Sequence, residues 1–340
     1  MMAKQQYEQL SPEWFQPAPP NVGEQEKINR PSLTFWQDAW LRLRENKAAI
    51  VGLVMIIILT LMAIIAPMAS DRTYKDQNLR HAKLPPKIPV LEHVHWLPFD
   101  GRDANGVDVY KQRGVKEYYW FGTDDLGRDL WVRTWYGTRI SLYIGLLAAL
   151  IDLLIGIAYG GISGYYGGRV DNVMQRIIEI LNGIPYLIMV ILFILIFEPG
   201  IISITLAMVI TGWTTMARIV RGQVLKLKNM EYVLAARTLG APTSRLIFKH
   251  LIPNVIGPII ITTMFTIPSA IFTEAFLSFI GLGIRPPEAS LGSLVNDGYK
   301  SIQTYPHLMI IPAVVISLLI LSFNLVADGI RDALDPKMRK

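Results

Sequence analysis

The run AAIVGLVMIIILTLMAIIAPMA at residues 48–69 extends for 22 positions without a charged side chain. At about 1.5 Å per residue, a helix of this length crosses the ~30 Å hydrocarbon core of a bilayer. A cleaved signal peptide is the alternative. However, 47 mostly polar residues precede the run, which is also longer than the ~7–15-residue apolar core of a signal peptide. We therefore predict a retained transmembrane helix.

Five later segments are also nearly continuous in Ile, Leu, Val, Phe, Ala and Met. They are residues 140–162, 177–197, 201–217, 255–277 and 308–327. Six spans predict an all-α membrane protein whose two termini lie on the same side. The span at 201–217 is the weakest, because it is short and contains four threonines. Without it, a five-span alternative would place the termini on opposite sides.

The composition agrees with a membrane protein. Hydrophobic residues make up 51% of the 340 positions, and the mean hydropathy is +0.34. The chain has no cysteine, which excludes disulfides and cysteine-ligated metal centres. Its formal charge of +6 comes from basic residues beside the apolar runs, where they would face lipid headgroups of the bilayer or a cytoplasmic partner. We therefore expect no nucleic-acid binding.

Lysine and arginine predict the orientation, because cytoplasmic segments of membrane proteins are enriched in them. Six precede the first span, seven lie between Arg218 and Lys249, and four follow Asp328. We therefore expect both termini and the segment that follows the fourth span to be cytoplasmic. Eleven basic residues also lie in the loop between 71 and 137, but a loop of this length escapes the charge rule, and we place it outside.

The segment ahead of the first span has apolar residues at helical spacing: Leu33, Trp36, Trp40 and Leu43. This pattern predicts an interfacial helix at 32–47, with an ordinary start to the first span as the alternative. The predicted segments are a polar cytoplasmic tail at 1–31, the interfacial helix at 32–47, the first transmembrane helix at 48–69, an extracytoplasmic loop at 70–137, a core of five helices at 138–328 with a cytoplasmic loop at 229–253, and a cytoplasmic tail at 329–340.

A row of small residues in the second span favours close helix packing. Its members are Gly156, Gly160, Gly164 and Gly168, four positions apart and therefore near one face of a helix. Asp152 stands one step earlier in this row, where a lipid-facing carboxylate would cost about 2.5–3.5 kcal/mol. It must face protein or water, either on a path through the membrane or as a buried group that packs helices. We favour the packing role.

A second carboxylate, Glu274, lies within the fifth span and meets the same energetic argument. Pro258 and Pro268 predict a bend in this helix. We therefore hypothesise that Glu274, like Asp152 in the alternative above, lines a translocation path.

The segment NMEYVLAARTLGAPTSRLIFKHLIPN at 229–254 is charged and helix-patterned, although it lies between two spans. Residues 231–239 suit a short helix, and Gly240 can adopt the left-handed conformation that ends it. Pro242 can then start another helix. This pattern predicts a helical knob outside the membrane, with small residues on its surface against which another protein can pack.

This segment resembles the signature loop of ABC-importer permeases, which has an acidic residue, two alanines, a glycine four positions later and a downstream proline. Four residues match the pattern: Ala235, Ala236, Gly240 and Pro253. Leu234 occupies the acidic position, and Glu231, one turn earlier on the same face, is a candidate substitute for the missing carboxylate. The resemblance implies that these six residues couple the chain to an ATPase.

Further motifs extend the resemblance over about residues 35–340, to the second permease of dipeptide and oligopeptide importers. They are FGTDDLGRD at 121–129, GYYGG at 164–168, LSFIGLG at 277–283 and DGIRDALDP at 328–336. The resemblance implies a type I ABC-importer permease fold in a prokaryotic cytoplasmic membrane. The implied partners are a second homologous permease in a heterodimer, two cytoplasmic ABC ATPases, an extracytoplasmic peptide-binding protein and a peptide substrate.

Within this family the expected substrate is an oligopeptide, with dipeptides or nickel chelates as alternatives. A six-helix protein outside the ABC class is a further alternative, and so is a receptor-like protein, against which only the docking loop argues. A secondary transporter or a membrane enzyme is disfavoured, because we find neither repeated halves nor converging polar groups.

The sequence predicts no catalytic chemistry in this chain. It has no Gly-x-x-x-x-Gly-Lys-Ser/Thr phosphate loop, no Gly-x-Ser-x-Gly elbow and no His-Glu-x-x-His run. ATP and Mg²⁺ are therefore expected in separate ATPase subunits, and we expect no cofactor here. His93 and His95 form the closest histidine pair, but two loop imidazoles without nearby partners are weak evidence for a metal site.

Overall fold

The computed structural model describes residues 34–93, 98–103 and 105–335, and within them the chain is helical with only isolated β-bridges. The predicted tail at 1–31 and the last five residues lie outside this part. The helices are α1 (Phe35–Glu45), α2 (Lys47–Met68), α3 (Val109–Arg113), α4 (Leu130–Tyr166), α5 (Gly168–Gly183), α6 (Tyr186–Phe197), α7 (Ile201–Leu227), α8 (Glu231–Thr238), α9 (Thr243–Arg245), α10 (Ile256–Phe279), α11 (Leu291–Tyr299) and α12 (His307–Leu334).

Five helical stretches of the described chain are long and apolar enough to cross a membrane. They are α2, α4, α7, the stretch Thr243–Phe279 that ends in α10, and α12. The pair α5 and α6 passes the same test only when its two members are counted together, and they are bent by 79°. The prediction of an all-α membrane protein is confirmed, with six spans if the bent pair forms one of them.

The predicted third span at 177–197 is wrong as a continuous helix. Helix α5 begins earlier, at Gly168, and ends at Gly183, after which Ile184 is extended. Pro185 explains the break, because it lacks an amide N–H and keeps the residue before it out of the helical region. The span that seemed weakest, by contrast, is part of an unbroken helix from Ile201 to Leu227.

Contacts between the long helices fix their directions. Gly156 lies against Met216, and Gly164 against Val224, so α4 and α7 run parallel. At the other side of the bundle, Gly52 near the start of α2 lies against Val326 near the end of α12. Both ends of the described chain therefore lie at one end of the bundle, which we call the α8 end. The opposite end, which carries residues 69–129, is the loop end.

This arrangement supports one crossing by the α5–α6 pair. Helix α4 finishes at the α8 end and α7 starts at the loop end, so the chain between them must pass from one end to the other. Helix α1, at the predicted interfacial position, has a capping box formed by Thr34 and Gln37, and its Trp36 and Trp40 side chains are half exposed.

Glycines allow the backbones of α4 and α7 to approach closely. A Cβ added at Gly156 would lie 2.5 Å from the Cβ of Met216, and one added at Gly164 would lie 2.9 Å from the carbonyl oxygen of Arg221. Gly160 faces the carbonyl oxygen of Ala217 in the same way. Each distance is shorter than an ordinary carbon contact of ~3.5–4.0 Å, so only glycine fits.

The expected fourth member of this row, Gly168, does not continue it. Helix α4 ends at Tyr166, and Gly167 takes a positive φ of 65° that turns the chain into α5. No described atom lies within 4 Å of the position that a Cβ of Gly168 would occupy. The four-residue spacing of glycines therefore continues beyond the end of α4, where it no longer places them on one helix face.

The loop predicted at 70–137 ends at residue 129, because the Asp129 carboxylate accepts a hydrogen bond from the amide of Trp131 and caps α4. Arg133 consequently lies inside a helix, almost fully buried and 3.3 Å from the Asp124 carboxylate. The same carboxylate pairs with Arg128 at 2.6 Å. This buried cluster holds the loop against the start of α4.

We predict that Gly160→Ala lowers the thermal unfolding midpoint of the detergent-purified protein, because overpacking costs about 1–3 kcal/mol. Gly222→Ala, in α7, is the matched control, since no described atom lies within 4 Å of its added Cβ. Differential scanning fluorimetry of both variants measures the effect. Equal midpoints for the two variants would show that the α4–α7 contact does not depend on glycine.

Candidate translocation cavity and docking helix

Helix α8 forms where the sequence predicts a short helix. It runs from Glu231, whose carboxylate favours the first turn, to Thr238. Gly240 follows with a positive φ of 79°, and the amide of Ala241 donates to the carbonyl oxygen of Ala236 at 3.1 Å. The next helical segment begins at Thr243. The predicted helix, left-handed glycine and restart are thus confirmed.

One buried side chain anchors α8 to the bundle. Val233 is fully buried in a cluster with Val224 of α7 and Leu251 of the segment that leads into α10. Ala236 lies partly buried against the same cluster. Because one apolar cluster contains side chains from all three elements, α8 is packed on α7 and on the segment that leads into α10.

The other face of α8 is open. Among the predicted docking residues, Glu231, Leu234, Ala235, Gly240 and Pro253 are exposed. Sequence reasoning missed Leu239, which is 88% exposed at the tip of the knob. The sequence does contain a signal for this exposure, which is an apolar residue directly before the glycine that ends the helix. The residue at that position projects from the helix end. The exposed Leu234 and Leu239 suit a protein partner.

Sequence reasoning also missed an ion pair beside this knob. Arg221 of α7 donates to both carboxylate oxygens of Asp171 in α5, at 2.5 and 2.6 Å. Ser163 of α4 donates to the same carboxylate, and Lys228 donates to the carbonyl oxygen of Gly164 at 3.0 Å. These bonds join α4, α5 and α7 at the α8 end.

A cavity of about 220 Å³ lies at the end of the α4–α7 glycine contact that is farther from α8. Residues of α4, α6, α7 and α10 line it, which are Ala148, Asp152, Tyr186, Met208, Thr211, Gly212, Thr266, Ser269, Ala270 and Thr273. The cavity therefore lies between four helices and combines an apolar wall with hydroxyls and one carboxylate.

Asp152 is 6% exposed, and its carboxylate lies over Gly212. A Cβ added at Gly212 would lie 2.6 Å from the Oδ1 atom of Asp152. No described residue donates a hydrogen bond to this carboxylate, and none forms an ion pair with it. Through its contact with Gly212, Asp152 packs against α7, as we favoured from the sequence, and it also borders the cavity.

Glu274 does not line this cavity, although the sequence suggested a common path with Asp152. It is fully buried, and each carboxylate oxygen accepts a hydrogen bond of 2.8 Å, one from Ser141 and one from Ser278. Ser290, which caps α11, contacts Ser278 at 3.2 Å. Glu274 thus joins α10 to α4 and to the start of α11.

We predict that Glu274→Leu destabilises the protein more than Glu274→Gln. Leucine leaves the hydroxyls of Ser141 and Ser278 without an acceptor, at about 1–3 kcal/mol each, whereas glutamine keeps one acceptor oxygen. Thermal unfolding in detergent measures both, with Glu179→Gln on the exposed face of α5 as control. A stable Glu274→Leu variant would contradict the structural role.

The apolar helices of the bundle define a multi-pass membrane protein, with helix α8 exposed at one end. Residues 156–340 match the family described as the binding-protein-dependent transport system inner membrane component, and residues 34–86 match the N-terminal TM domain of oligopeptide transport permease C. The chain therefore belongs to the family of inner-membrane permeases of binding-protein-dependent ABC importers.

Two curated relatives come from Bacillus subtilis (strain 168). The oligopeptide transport system permease protein OppC is 50% identical over 96% of this chain and 97% of its own length. The dipeptide transport system permease protein DppC is 46% identical over 99% and 96%. A solved structure of the MetNI methionine ABC transporter, in inward-facing conformations, aligns with 58% of this chain and 94% of its own at 17% identity and a TM-score of 0.49.

Proposed function

We propose that this chain is one permease half of an ATP-driven peptide importer. The observation that carries the proposal is α8, an exposed helix with small and apolar surface residues that is anchored to α7 and to the segment before α10. The similarity to oligopeptide and dipeptide permeases supports a peptide as substrate. The other half of the pore is a second, homologous permease.

In this proposal α8 is the coupling helix. Two ATPase subunits, which bind ATP and Mg²⁺, dock on its exposed face and on the equivalent face of the second permease. Closure of the ATPases moves α8, and Val233 carries the movement to α7 and to the segment that leads into α10. The helices then alternate between inward and outward access, without a hydrolytic step in this chain.

The basic residues beside the spans support a cytoplasmic location for the α8 end. The loop end then faces outward, where an extracytoplasmic peptide-binding protein delivers the substrate. The described residues between 69 and 129 form part of that receiving surface and have an apolar core of Leu84, Val109, Tyr110 and Tyr119. A loop with its own apolar core suits a large binding protein, which favours oligopeptides over dipeptides or nickel chelates.

Affinity purification of the tagged chain from gently solubilised membranes tests the assembly. We expect mass spectrometry to find a second permease and two ATPases, and the complex to hydrolyse ATP. A chain that purifies alone and without ATPase activity would overturn the proposal.

We predict that Ala235→Glu and Gly240→Val uncouple ATP hydrolysis from uptake. Glutamate at 235 places an unpaired charge in the docking surface, and valine at 240 cannot readily adopt a φ of 79°. Uptake of labelled peptide into proteoliposomes should fall about tenfold or more, because disruption of a central contact costs upwards of ~2 kcal/mol. ATP hydrolysis should continue.

Ser244→Glu is the matched control, because Ser244 is exposed on the same segment but lies outside the predicted docking residues. This control should import at the wild-type rate. Normal uptake by both Ala235→Glu and Gly240→Val, at wild-type membrane levels, would exclude α8 as the coupling element.

A further inference from the structure

Two polar groups at the cavity have no partner among the described residues. One is the carboxylate of Asp152, a residue that is only 6% exposed. The other is the hydroxyl of Tyr186, at the start of α6, which is fully enclosed and makes no hydrogen bond. Both residues line the same cavity. The Tyr186 hydroxyl is covered by neighbouring atoms, so a group in the cavity does not reach it. The coupling mechanism does not use Asp152, so its carboxylate needs a different explanation.

A buried carboxylate requires compensation. In a membrane-embedded position an isolated charge is costly, and such groups normally pair with a cation or with hydrogen-bond donors. The described part of the chain supplies no lysine, arginine or histidine within ion-pair distance of Asp152. A cationic group that enters the cavity would supply this compensation, and Asp152 is placed to meet it.

The hydroxyls around Asp152 also favour a donor as the incoming group. Thr266 and Thr273 of α10 donate to the carbonyl oxygens of Thr262 and Ser269, at 3.1 and 2.8 Å, so their oxygens remain free to accept. An alkylammonium group has three N–H donors and no acceptor, which matches an acceptor-rich cavity. The volume of about 220 Å³ is many times the ~10–15 Å³ that one water molecule needs.

A divalent metal fits this cavity less well. Hard divalent cations take six or more oxygen ligands and usually several carboxylates, whereas Asp152 is the one carboxylate that lines the cavity. Within the described residues no group of three or more His, Cys, Asp or Glu side chains could hold a metal ion.

We propose that the cavity binds the ammonium group of the peptide during its passage, with Asp152 as the counter-charge and the free lone pairs of the Thr266 and Thr273 hydroxyls as further acceptors. This proposal rests on the proposed function, since it assigns a selective contact to the permease of a peptide importer. The ammonium belongs either to the peptide N-terminus or to a lysine side chain, which offer the same chemistry.

The test uses the complete importer with its binding protein, reconstituted in proteoliposomes and supplied with ATP. Two differently labelled peptides compete for uptake in one vessel. One pair differs by N-terminal acetylation, and a second pair by acetylation of an internal lysine. Binding of each peptide to the isolated binding protein is measured first, so that uptake is expressed per bound peptide and reports the permease alone.

We expect the wild type to prefer the peptide with the free ammonium in at least one pair. Asp152→Asn should reduce this preference about tenfold, as for loss of a hydrogen bond to a charged group. Asp152→Glu should retain part of it, and Thr266→Val should weaken it. Thr263→Val is the matched control, because this α10 hydroxyl bonds to Ile259 and does not line the cavity.

The outcomes separate the two proposals. Loss of preference only in the first pair assigns the site to the N-terminus, and loss only in the second assigns it to lysine. Wild-type uptake with an unchanged preference in Asp152→Asn and Thr266→Val overturns the ammonium site alone. If Asp152→Asn does not assemble, an unchanged preference in Asp152→Ser and Thr266→Val overturns it equally. Absence of ATP-dependent peptide uptake by the wild type overturns the proposed function itself.

Discussion

The close parallel contact between α4 and α7 is the interaction on which the other features depend. Successive turns place Gly156 against Met216, Gly160 against Ala217, and Gly164 against Arg221. One turn before Gly156, the same row continues with Asp152 against Gly212. At that position the small residue is on α7 rather than α4, which leaves room for a carboxylate between the helices. The same contact therefore creates one wall of the cavity and, at its other end, places Arg221 within reach of Asp171.

Asp152 and Glu274 pose the same energetic problem and meet it differently. Glu274 is buried among serine hydroxyls that donate to both of its oxygens, so its polar atoms have partners within the protein. Asp152 borders a cavity, and the described residues provide it with no donor. From the sequence, both carboxylates were expected to face protein or water for the same energetic reason. In the structure, the hydroxyl donors around Glu274 identify it as a structural carboxylate, whereas Asp152 lacks such donors in the described part of the chain.

The sequence predicts the existence of the spans well, because bilayer thickness sets the length of an apolar run. It predicts their ends poorly, since Pro185 breaks an apolar run that looks continuous. Helix α4 also starts as early as Leu130 and contains Arg133, whose buried charge is paired with the Asp124 carboxylate only in the folded chain. The sequence did predict a local turn correctly, because Gly240 adopts the expected left-handed conformation. The sequence did not predict which residues contact Asp152 and Asp171. Gly212 and Arg221 are 60 and 50 positions away from them, and no local pattern links the pairs.

Helix α7 connects the docking helix to the cavity without interruption. Its end packs against α8 through Val224 and Val233. Thr211 and Gly212 line the cavity closer to its start, about 12 residues, or roughly three turns and ~18 Å, along the axis from Val224. A helix of this length moves as a rigid element, so a displacement of α8 reaches Gly212. Glycines on the facing surface of α4 present few protruding side chains, which permits a small sliding movement of the two helices. In the proposed importer, ATPase closure would thus change the space around Asp152 directly.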